Sequence, residues 1–451
     1  MINQNSSVDT TRERASASAY HLIEVSIKSA GGRIFNIMHL VTGITVTESV
    51  YNLAMTAEVE VRDTVNLFEE MRISGQEIVK LSFTVQDMGG EKKNVIKEFL
   101  VSEVPLYGKV NSSTQAYTLK LISLHGIINQ VSRISRSGQG SIVSQIERIL
   151  KNDLQYPGKI IVEAESKGNV KLIYPNMRPF ATIEWLQRRA FDETGSPIFV
   201  YESWDGMHIK SYSEMCVSNL VGSYGVSFTQ GVNATSKEGM KEEKYRIKSL
   251  ASNMNSSKLA QANSGAWASK TRVLDYATKK YYDVIYDYGK THSSFVKADQ
   301  SKTKNSLISS QFLIKGLPLN EHADASVFYL NQNSLALGTS EEDVGNYHTP
   351  ALQTIGAFKS ITETIDNNKQ TMSINGNLDI TPGSKVFVKA PKSVSAETWK
   401  NAKSGSQADK GALSDMMISG PYITMSIVHN FKEEYTQQVL IKRDYSNYSF
   451  G

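Results

Sequence analysis

Short runs in which apolar and polar residues alternate recur along the chain and predict a mainly β protein. Residues 22–28 place Ile23, Val25 and Ile27 on one face, which is the period of a half-buried strand. The same pattern recurs in four further segments: 57–63, 80–85, 99–104 and 117–123. These five or six strands suffice for a small sandwich or barrel, so we predict a first β domain that ends near Leu124.

The pattern changes after His125 and predicts a mixed α/β unit. Apolar residues recur at helical spacing in 141–150, behind Ser141 as a cap, and again in 182–191. Two alternating runs on either side of Trp204-Asp205-Gly206 predict a hairpin over 198–211, with the glycine at the turn. The polar stretch 231–243 is then expected to be a connector.

The segment from 245 to 355 is less regular. Residues 245–247 and 271–275 are expected to be strands, and 279–288 contains several tyrosines. Such tyrosines can stack on bases or sugars, but without more basic neighbours they more often line a strand pair or a subunit contact. Residues 290–355 are polar and rich in turns, with a strand or short helix around 325–330.

The last segment, 370–444, repeats elements of the first domain. Residues 72–78 and 81–85 match 373–379 and 386–388, and a similar match relates 99–104 and 117–121 to 422–428 and 435–439. A looser match relates 61–63 to 273–275, which places about 89 extra residues inside the second copy. Short β patterns also recur by chance, but the shared order favours two similar barrels, the second split by an insertion.

Composition limits the classes of function. The 451 residues carry 49 Lys plus Arg and 45 Asp plus Glu without a dense basic block, so charge makes no case for specific nucleic-acid binding. The single cysteine, Cys216, cannot form an internal disulfide, which fits synthesis in a reducing cytoplasm. No run of about 18 apolar residues is present, so we expect neither membrane insertion nor a conventional signal peptide.

No catalytic, cofactor-binding or metal-binding residues are predicted. Phosphate-loop, zinc-protease and nucleophile-elbow motifs are absent from the sequence. The eight histidines are interpreted as ordinary surface or strand residues, and the acidic run 341–343 as a solvated turn without the ligand spacing of a calcium loop. Glu433 and Glu434 would point to opposite faces of a strand. Nothing in the sequence predicts an enzyme.

Several motifs carry a resemblance to a known family. They are Tyr201-Glu202-Ser203-x-Asp205-Gly206-x-His208-x-Lys210-Ser211, then Gly376 with Thr381-Pro382-Gly383, and finally Ser419-Gly420-x-Tyr422 with His429 and Tyr435. Through these motifs and the two β modules the sequence resembles the baseplate hub proteins of contractile-tailed, T-even-like bacteriophages and the hub part of type VI secretion spike proteins. The resemblance covers about residues 20–445.

The resemblance implies a homotrimeric structural hub that joins a hexameric tail tube to a threefold central spike. Its implied partners are the tail tube ring, a separate spike protein and other baseplate proteins, with genome DNA passing through the lumen without specific binding. Its implied location is the virion baseplate, after assembly in the host cytoplasm. The alternatives are a glycan-binding or cell-wall-degrading tail protein, with 281–288 and Trp204 as a sugar platform, and the hub of a secretion or injection particle.

The predicted fold is therefore mainly β, with two tube-like β-barrel domains per chain and inserted mixed α+β domains. The predicted divisions are an N-terminal arm at 1–19, a first barrel at 20–124, a mixed domain and connector at 125–243, a split second barrel at 244–289 and 356–445, an insertion at 290–355 and a C-terminal end at 446–451. Loops 86–97 and 391–415 follow matching strands, so both should emerge at one end, either as solvated loops or to grip a neighbouring ring.

Overall fold

A single sheet of 13 strands organises the chain. The computed structural model describes residues 20–86, 92–226, 243–253, 257–276, 279–291, 295–299, 307–332, 355–366, 368–392 and 414–445. Seven strands from residues 20–123 form one end of this sheet, and six strands from residues 220–443 form the other. The strands at 420–431 and 435–443 also pair with each other, which closes the last six strands into a barrel. The predicted fold class, mainly β with inserted mixed segments, is confirmed.

The first module is the curled sheet that comes from the N-terminal part of the chain. Its strands are β1 (Tyr20–Lys28), β2 (Ile34–Asn36), β3 (Val41–Ser49), β4 (Thr56–Asp63), β5 (Ile78–Gln86), β6 (Lys92–Lys109) and β7 (Gln115–Ser123). Helix α1 (Leu67–Met71) and a 3-10 turn (Met38–Leu40) lie in its connections. Inward residues of all six long strands share one apolar core, because successive side chains of a strand alternate between the two faces.

One detail of β1 differs from the alternation in the sequence. Val25 and Ile27 are buried as predicted, but Ile23 is 46% exposed. The pairing of β1 with β5 shifts between Leu22 and Glu24. A β-bulge there accounts for the difference, since one extra residue moves the preceding side chains to the other face.

The second module is the closed barrel. Its strands are β13 (Leu220–Val226), β14 (Arg246–Asn253), β20 (Asn368–Asn375), β21 (Lys385–Lys389), β22 (Gly420–Phe431) and β23 (Tyr435–Arg443). The chain thus leaves this barrel after β14 and returns to it at β20.

Two inserted units flank the modules. The mixed unit contains α2 (Leu124–Val131), β8 (Ser137–Gly140), α3 (Ile142–Arg148) with a π turn (Ile149–Asp153), β9 (Ile160–Val162), β10 (Val170–Ile173), α4 (Pro179–Gln187), β11 (Ile198–Ser203), β12 (Gly206–Ser211) and α5 (Tyr212–Val217). The second contains α6 (Lys258–Ser264), β15 (Ala268–Asp275), β16 (Lys280–Asp287), α7 (Tyr288–Thr291), β17 (Leu313–Ile314), β18 (Leu317–Pro318), 3-10 turns at Leu319–Glu321 and Ala323–Ala325, β19 (Val327–Gln332) and α8 over 355–365. The predicted hairpin and the Ser141 cap are both present, the cap accepting from the Ser144 N–H at 3.2 Å.

The strand topology supports the internal repeat and corrects its boundaries. The orders β1-β5-β6-β7-β4-β3 and β13-β21-β22-β23-β20-β14 superimpose position by position. At the level of whole strands, the predicted matches of 81–85 with β21, 99–104 with β22 and 117–121 with β23 are therefore confirmed, but the ladders align Gln115 and not Tyr117 with Tyr435. The match of 61–63 with 273–275 is wrong, because β15 belongs to a separate sheet with β16 and β19, and the counterpart of β4 is β20. In the match of 72–78 with 373–379, residues 72–77 precede β5 and 376–379 precede β21, whereas 373–375 end β20.

Shared irregularities make the repeat more specific than strand order does. The register shifts between Val101 and Glu103 where β6 meets β7, and between Thr424 and Ser426 where β22 meets β23. A second pair of shifts lies at Val41/Gly43 where β3 meets β4 and at Ile247/Ser249 where β14 meets β20. Matching bulges in matching strands are difficult to explain by chance. One strand differs in direction: β1 is antiparallel to β5, whereas β13 is parallel to β21.

The division into domains remains a prediction as a whole, but strand membership differs from it in two places. The segment 244–289 contributes only β14 to the second barrel, and β13, which the prediction assigned to the mixed unit, also belongs to that barrel. Glycines at 222 and 225 interrupt the apolar pattern of β13, so alternation does not predict a strand there. The arm 1–19, the connector from 231 to 242 and the acidic run 341–343 lie outside the described residues.

Gly376 provides a test of packing in the barrel. A Cβ at this position would lie 1.9 Å from the ring of Tyr435, which is fully buried. We expect Gly376→Ala to lower the free energy of unfolding by about 1–3 kcal/mol, since overpacking displaces neighbouring side chains. The matched control is Gly225→Ala in β13, where a Cβ would meet nothing within 4 Å. Equal thermal shifts in the two variants would contradict this account.

Candidate assembly junction

Strands β3 and β22 join the two modules into one sheet. They pair antiparallel over six residues, from Ser426 opposite Ser49 to Phe431 opposite Ile44. The outer edge of β3 is therefore occupied by the second module, and among the described strands β1 does not close on it. The junction is a backbone ladder and not only a contact of side chains.

A buried carboxylate lies at the centre of this junction. Glu48 of β3 and His429 of β22 have fully buried side chains, and His429 Nε2 donates to Glu48 Oε1 at 2.6 Å. The other carboxylate oxygen of Glu48 accepts from the Ser203 hydroxyl at 2.7 Å and from the Trp204 N–H at 3.2 Å. These donors offset the cost of removing the carboxylate from water.

The hydrogen bonds continue from His429 into the second barrel. His429 Nδ1 accepts from the Tyr435 hydroxyl at 2.8 Å, and Gln437 Nε2 donates to the same hydroxyl at 2.9 Å. The Gln437 side chain also pairs with the backbone of Asn377, accepting from its N–H at 3.1 Å and donating to its carbonyl at 3.0 Å. Burial raises the pKa of Tyr435 well above its ordinary value, so it stays a neutral donor. This network fixes the orientation of His429 from inside the barrel.

The hairpin β11–β12 carries the mixed unit into the junction, and neighbouring residues of β11 reach different modules. The Tyr201 hydroxyl donates to the Pro382 carbonyl at 2.9 Å in the second module. Glu202 accepts from the Met55 N–H at 2.8 Å and pairs with Lys97 at 2.9 Å, both in the first module. Successive residues of a strand point to opposite faces, so a single strand can hold both modules.

Glu202 is charged in spite of its burial. Burial alone would raise the pKa of Glu202. Its pKa is nevertheless below the ordinary value, because the carboxylate is attracted by His125 and Lys97 and accepts hydrogen bonds from the Met55 N–H and the Ser123 hydroxyl. The His125 Nε2 atom lies 3.7 Å from the carboxylate and 2.8 Å from the Leu53 carbonyl. Glu202 is thus a charged anchor between the mixed unit and the first module.

The end of the hairpin carries a second charged cluster. His208 Nε2 lies 2.9 Å from Asp205, its Nδ1 lies 3.4 Å from Glu163, and Lys210 pairs with Glu163 at 3.2 Å. The His208 ring stacks on Tyr201 at a centroid distance of 5.2 Å. Burial alone would lower the pKa of His208, but the Asp205 and Glu163 carboxylates together raise it to about 9.

The glycines of the motifs allow close approach at the same contacts. Gly383 has φ +76°, and a Cβ there would lie 2.4 Å from the Tyr201 hydroxyl. Gly420 has φ +141°, and a Cβ would lie 2.2 Å from the Tyr445 hydroxyl. Gly206 at the hairpin turn has φ +149° and faces the Lys159 carbonyl. Motifs that lie far apart in sequence therefore meet at the seams between the modules and the mixed unit.

The structure assigns other roles to several residues that the sequence analysis singled out. Three histidines treated as ordinary, His125, His208 and His429, are buried beside carboxylates. Glu433 and Glu434 lie in the turn between β22 and β23 and not on a strand, because β22 ends at Phe431. No group of three or more His, Cys, Asp or Glu among the described residues is arranged to hold a metal ion.

The tyrosine-rich stretch divides between core and surface. Tyr286 and Tyr288 are buried in the core of the second inserted unit around Trp267, whereas Tyr281 is exposed. Trp204 packs instead against Phe83 and His429 at the junction. The residues of the hypothetical sugar platform thus belong to two different clusters. Across the described parts of the chain, no helix is long and apolar enough to span a membrane.

Comparison with solved structures finds chains of similar fold. The tail protein from Neisseria meningitidis MC58 matches 94% of this chain and 97% of its own, with 12% identity and a TM-score of 0.55. The 43 kDa tail protein of prophage MuSo2 from Shewanella oneidensis matches 94% and 99%, with 10% identity and a TM-score of 0.50. A component of the type VI secretion system of E. coli matches 95% and 77%, with 6% identity and a TM-score of 0.42.

No protein-family model and no curated protein matches the sequence. The likeness to solved structures concerns the fold, and at that level the resemblance drawn from the motifs is confirmed: the chain has the fold of phage tail proteins.

Removing the central carboxylate tests the junction. In Glu48→Ala the Ser203 hydroxyl, the Trp204 N–H and His429 lose their shared acceptor, so we expect a loss of about 3–5 kcal/mol in the free energy of unfolding. The control is Glu60→Ala, since Glu60 pairs with Lys432 on the surface at 3.2 Å and a change of about 0–1 kcal/mol is expected there. Denaturant unfolding measures both. A loss in Glu48→Ala no greater than in the control would refute the central role of Glu48.

The His208 cluster makes stability depend on pH. A histidine has a pKa of about 6.5 in an unfolded chain, whereas that of His208 is raised to about 9. Its contribution is therefore complete below pH ~6.5 and is lost as the pH rises toward 9. We expect His208→Gln to lower the melting temperature more at pH 6 than at pH 9.5. A difference between wild type and variant that does not change with pH would rule out this linkage.

Proposed function

We propose that the chain is the structural hub of a phage tail baseplate, a trimeric adaptor that joins a hexameric tail tube to a threefold central spike. The observation that carries the proposal is the pair of modules with matching strand order and matching bulges, fused through β3 and β22 into one sheet. Three copies of such a chain offer six similar modules to a sixfold partner and remain threefold elsewhere. The fold shared with phage tail proteins supports this assignment.

The rigidity of the junction supports an adaptor role. The ladder between β3 and β22, the buried Glu48–His429 pair and the hairpin β11–β12 each hold the two modules at one relative position. A sixfold partner needs equivalent surfaces at fixed spacing, and a flexible tether between the modules would not provide them. The buried groups of the junction are used for hydrogen bonds within the chain, which favours a structural role over catalysis.

Strand directions support the prediction that two loops emerge together. The strands β22, β3, β4, β7 and β6 are successive antiparallel neighbours, so β6 and β22 run in the same direction. The connections that precede β6 and β22 therefore leave the same edge of the sheet. The predicted loop 86–97 is too long, because β5 continues to Gln86 and β6 begins at Lys92. Most of the loop 391–415 lies outside the described residues.

We infer that this edge meets the tail tube. Pro391 and Ser414 form an isolated bridge, and the Asp415 N–H donates to the Ala390 carbonyl at 2.9 Å, so both ends of the longer connection are held together. Arg443, which is buried, donates to the Ser419 carbonyl at 3.0 Å and lies between the rings of Tyr422 and Tyr445. A connection with such a firm base can be shortened without disturbing the barrel.

Mass measurement and a deletion test the proposal together. We expect the wild-type chain, of 50.0 kDa, to form a trimer, and deletion of 393–411 with a short linker to leave the trimer intact while abolishing attachment to tail tube rings. A second variant, in which residues 87–91 are replaced by two residues, should weaken attachment without affecting the trimer. A chain that stays monomeric would contradict the hub, and normal attachment of the deletion variant would contradict the assigned edge.

A further inference from the structure

Strand β22 changes partner along its length, and this change forms the link between the modules. Along one edge of β22, residues 420–423 pair with β21 and residues 426–431 pair with β3. The exchange follows the bulge between Thr424 and Ser426. The second module thus offers an extended strand edge, and the first module fills it with the outer edge of β3.

The first module has the same extended edge, but no described strand fills it. Strand β6, the counterpart of β22, pairs with β5 only as far as Leu100. From Val101 to Lys109, β6 pairs with β7 along one edge. No described strand pairs with the opposite edge of β6 over these residues. Leu106 and Tyr107 in this part are 68% and 46% exposed. An unpaired edge of this kind is a template for another strand.

The complementary edge also lacks a partner among the described strands, which do not include residues 227–242 after β13. Strand β14, the counterpart of β3, pairs with β20 along its length and with β13 only at Arg246 and Ile247. No described strand pairs with the edge of β14 beyond Ile247 on that side. Ala251 and Ser252 are exposed, whereas their counterparts in β3, Thr45 and Val46, are covered by β22. Among the described strands, the free edge of β6 and the free edge of β14 are therefore unlike and complementary.

We propose that β6 of one copy pairs antiparallel with β14 of the next copy, repeating between chains the junction that β22 and β3 form within one. This inference rests on the trimeric hub of the proposed function and identifies its subunit interface. The occupant of each edge is a second copy, because the same chain already contains the pairing of the same two strand types. Since the two edges differ, the contact is head-to-tail and closes into a ring.

The first register shift of each ladder aligns Leu121 of β7 with Ile441 of β23. β6 carries a further shift, between Glu103 and Leu106, that β22 lacks, so the register of the new pairing is taken from the partners in β7 and β23 beyond that shift. β6 pairs with β7 as β22 pairs with β23. Comparison of these two ladders makes Leu106 equivalent to Val428 and Lys109 equivalent to Phe431.

β3 pairs with β4 as β14 pairs with β20. These two ladders make Thr47 equivalent to Asn253 and Ile44 equivalent to Leu250. Transfer of the observed ladder then predicts four residue pairs between copies, namely Leu106–Asn253, Tyr107–Ser252, Gly108–Ala251 and Lys109–Leu250.

The residues at these positions suit a strand contact. A Cβ at Gly108 would meet nothing within 4 Å, so the approach to its backbone is open. Ala251 and Ser252 are small and leave the edge of β14 accessible. Beyond Leu100, β6 is the edge strand of the ladder β6-β7-β4, and pairing with a further strand would satisfy the N–H and C=O groups of its free edge.

Cross-linking between variants that each carry one introduced cysteine tests the interface. Gly108→Cys and Ala251→Cys are expected to form a covalent dimer under oxidation when the two proteins are mixed during assembly. Neither variant alone should do so, because a head-to-tail contact does not bring two identical positions together. The double variant should give covalent dimers and trimers. Wild type is the control, since its only cysteine, Cys216, is buried.

Hydrogen exchange provides an independent measurement without substitutions. The edge amides within 103–109 and 248–253 should exchange at least about tenfold more slowly in the trimer than in the monomer obtained by dilution. Residues 44–49 pair within the chain and should be protected equally in both. A trimer with neither the cross-link nor this protection would overturn the interface and leave the hub intact, whereas a chain that is always monomeric would overturn both.

Discussion

The buried pair of Glu48 and His429 is the interaction on which the relative position of the modules depends. A carboxylate without donors would be too costly at a fully buried site, so Glu48 requires His429, the Ser203 hydroxyl and the Trp204 N–H at the same time. These three donors come from the second module and from the tip of the hairpin β11–β12. Glu48 itself comes from the first module, so the satisfaction of a single side chain requires three parts of the chain to be in place.

Pairing between strands decides how each module ends. The edge of β3 is filled by β22, so the first module stays an open, curled sheet. The counterpart of β3 in the second module, β14, pairs at its start with β13, and this module closes into a barrel. The same strand order therefore gives two outcomes within one chain. Among the described strands, the difference leaves one edge of each type without a partner, and the proposed contact between copies uses both edges.

The motifs that carry the family resemblance are structural. Tyr201, Glu202 and Ser203 make contacts across the seams, and Gly383 and Gly420 give tyrosine hydroxyls room to approach the backbone. A larger or apolar replacement at these positions would leave buried groups unpaired or force neighbours apart. Their presence points to a shared arrangement of domains, which is consistent with a shared fold at an identity of only 12% to the Neisseria tail protein.

The sequence by itself determined the mainly β class, most strands of the first module, the hairpin β11–β12 and the existence of a repeat, because alternation and turn residues are local signals. It did not reveal β3 or β13, since Glu48 places a charge at an inward position and glycines interrupt β13. The predicted counterpart at 273–275 was wrong because short β patterns look alike and only hydrogen-bond partners distinguish them. Tertiary structure alone decided that His429 meets Glu48, across 381 residues of sequence. Such long-range pairing depends on the order of strands in the sheet, which no local pattern contains.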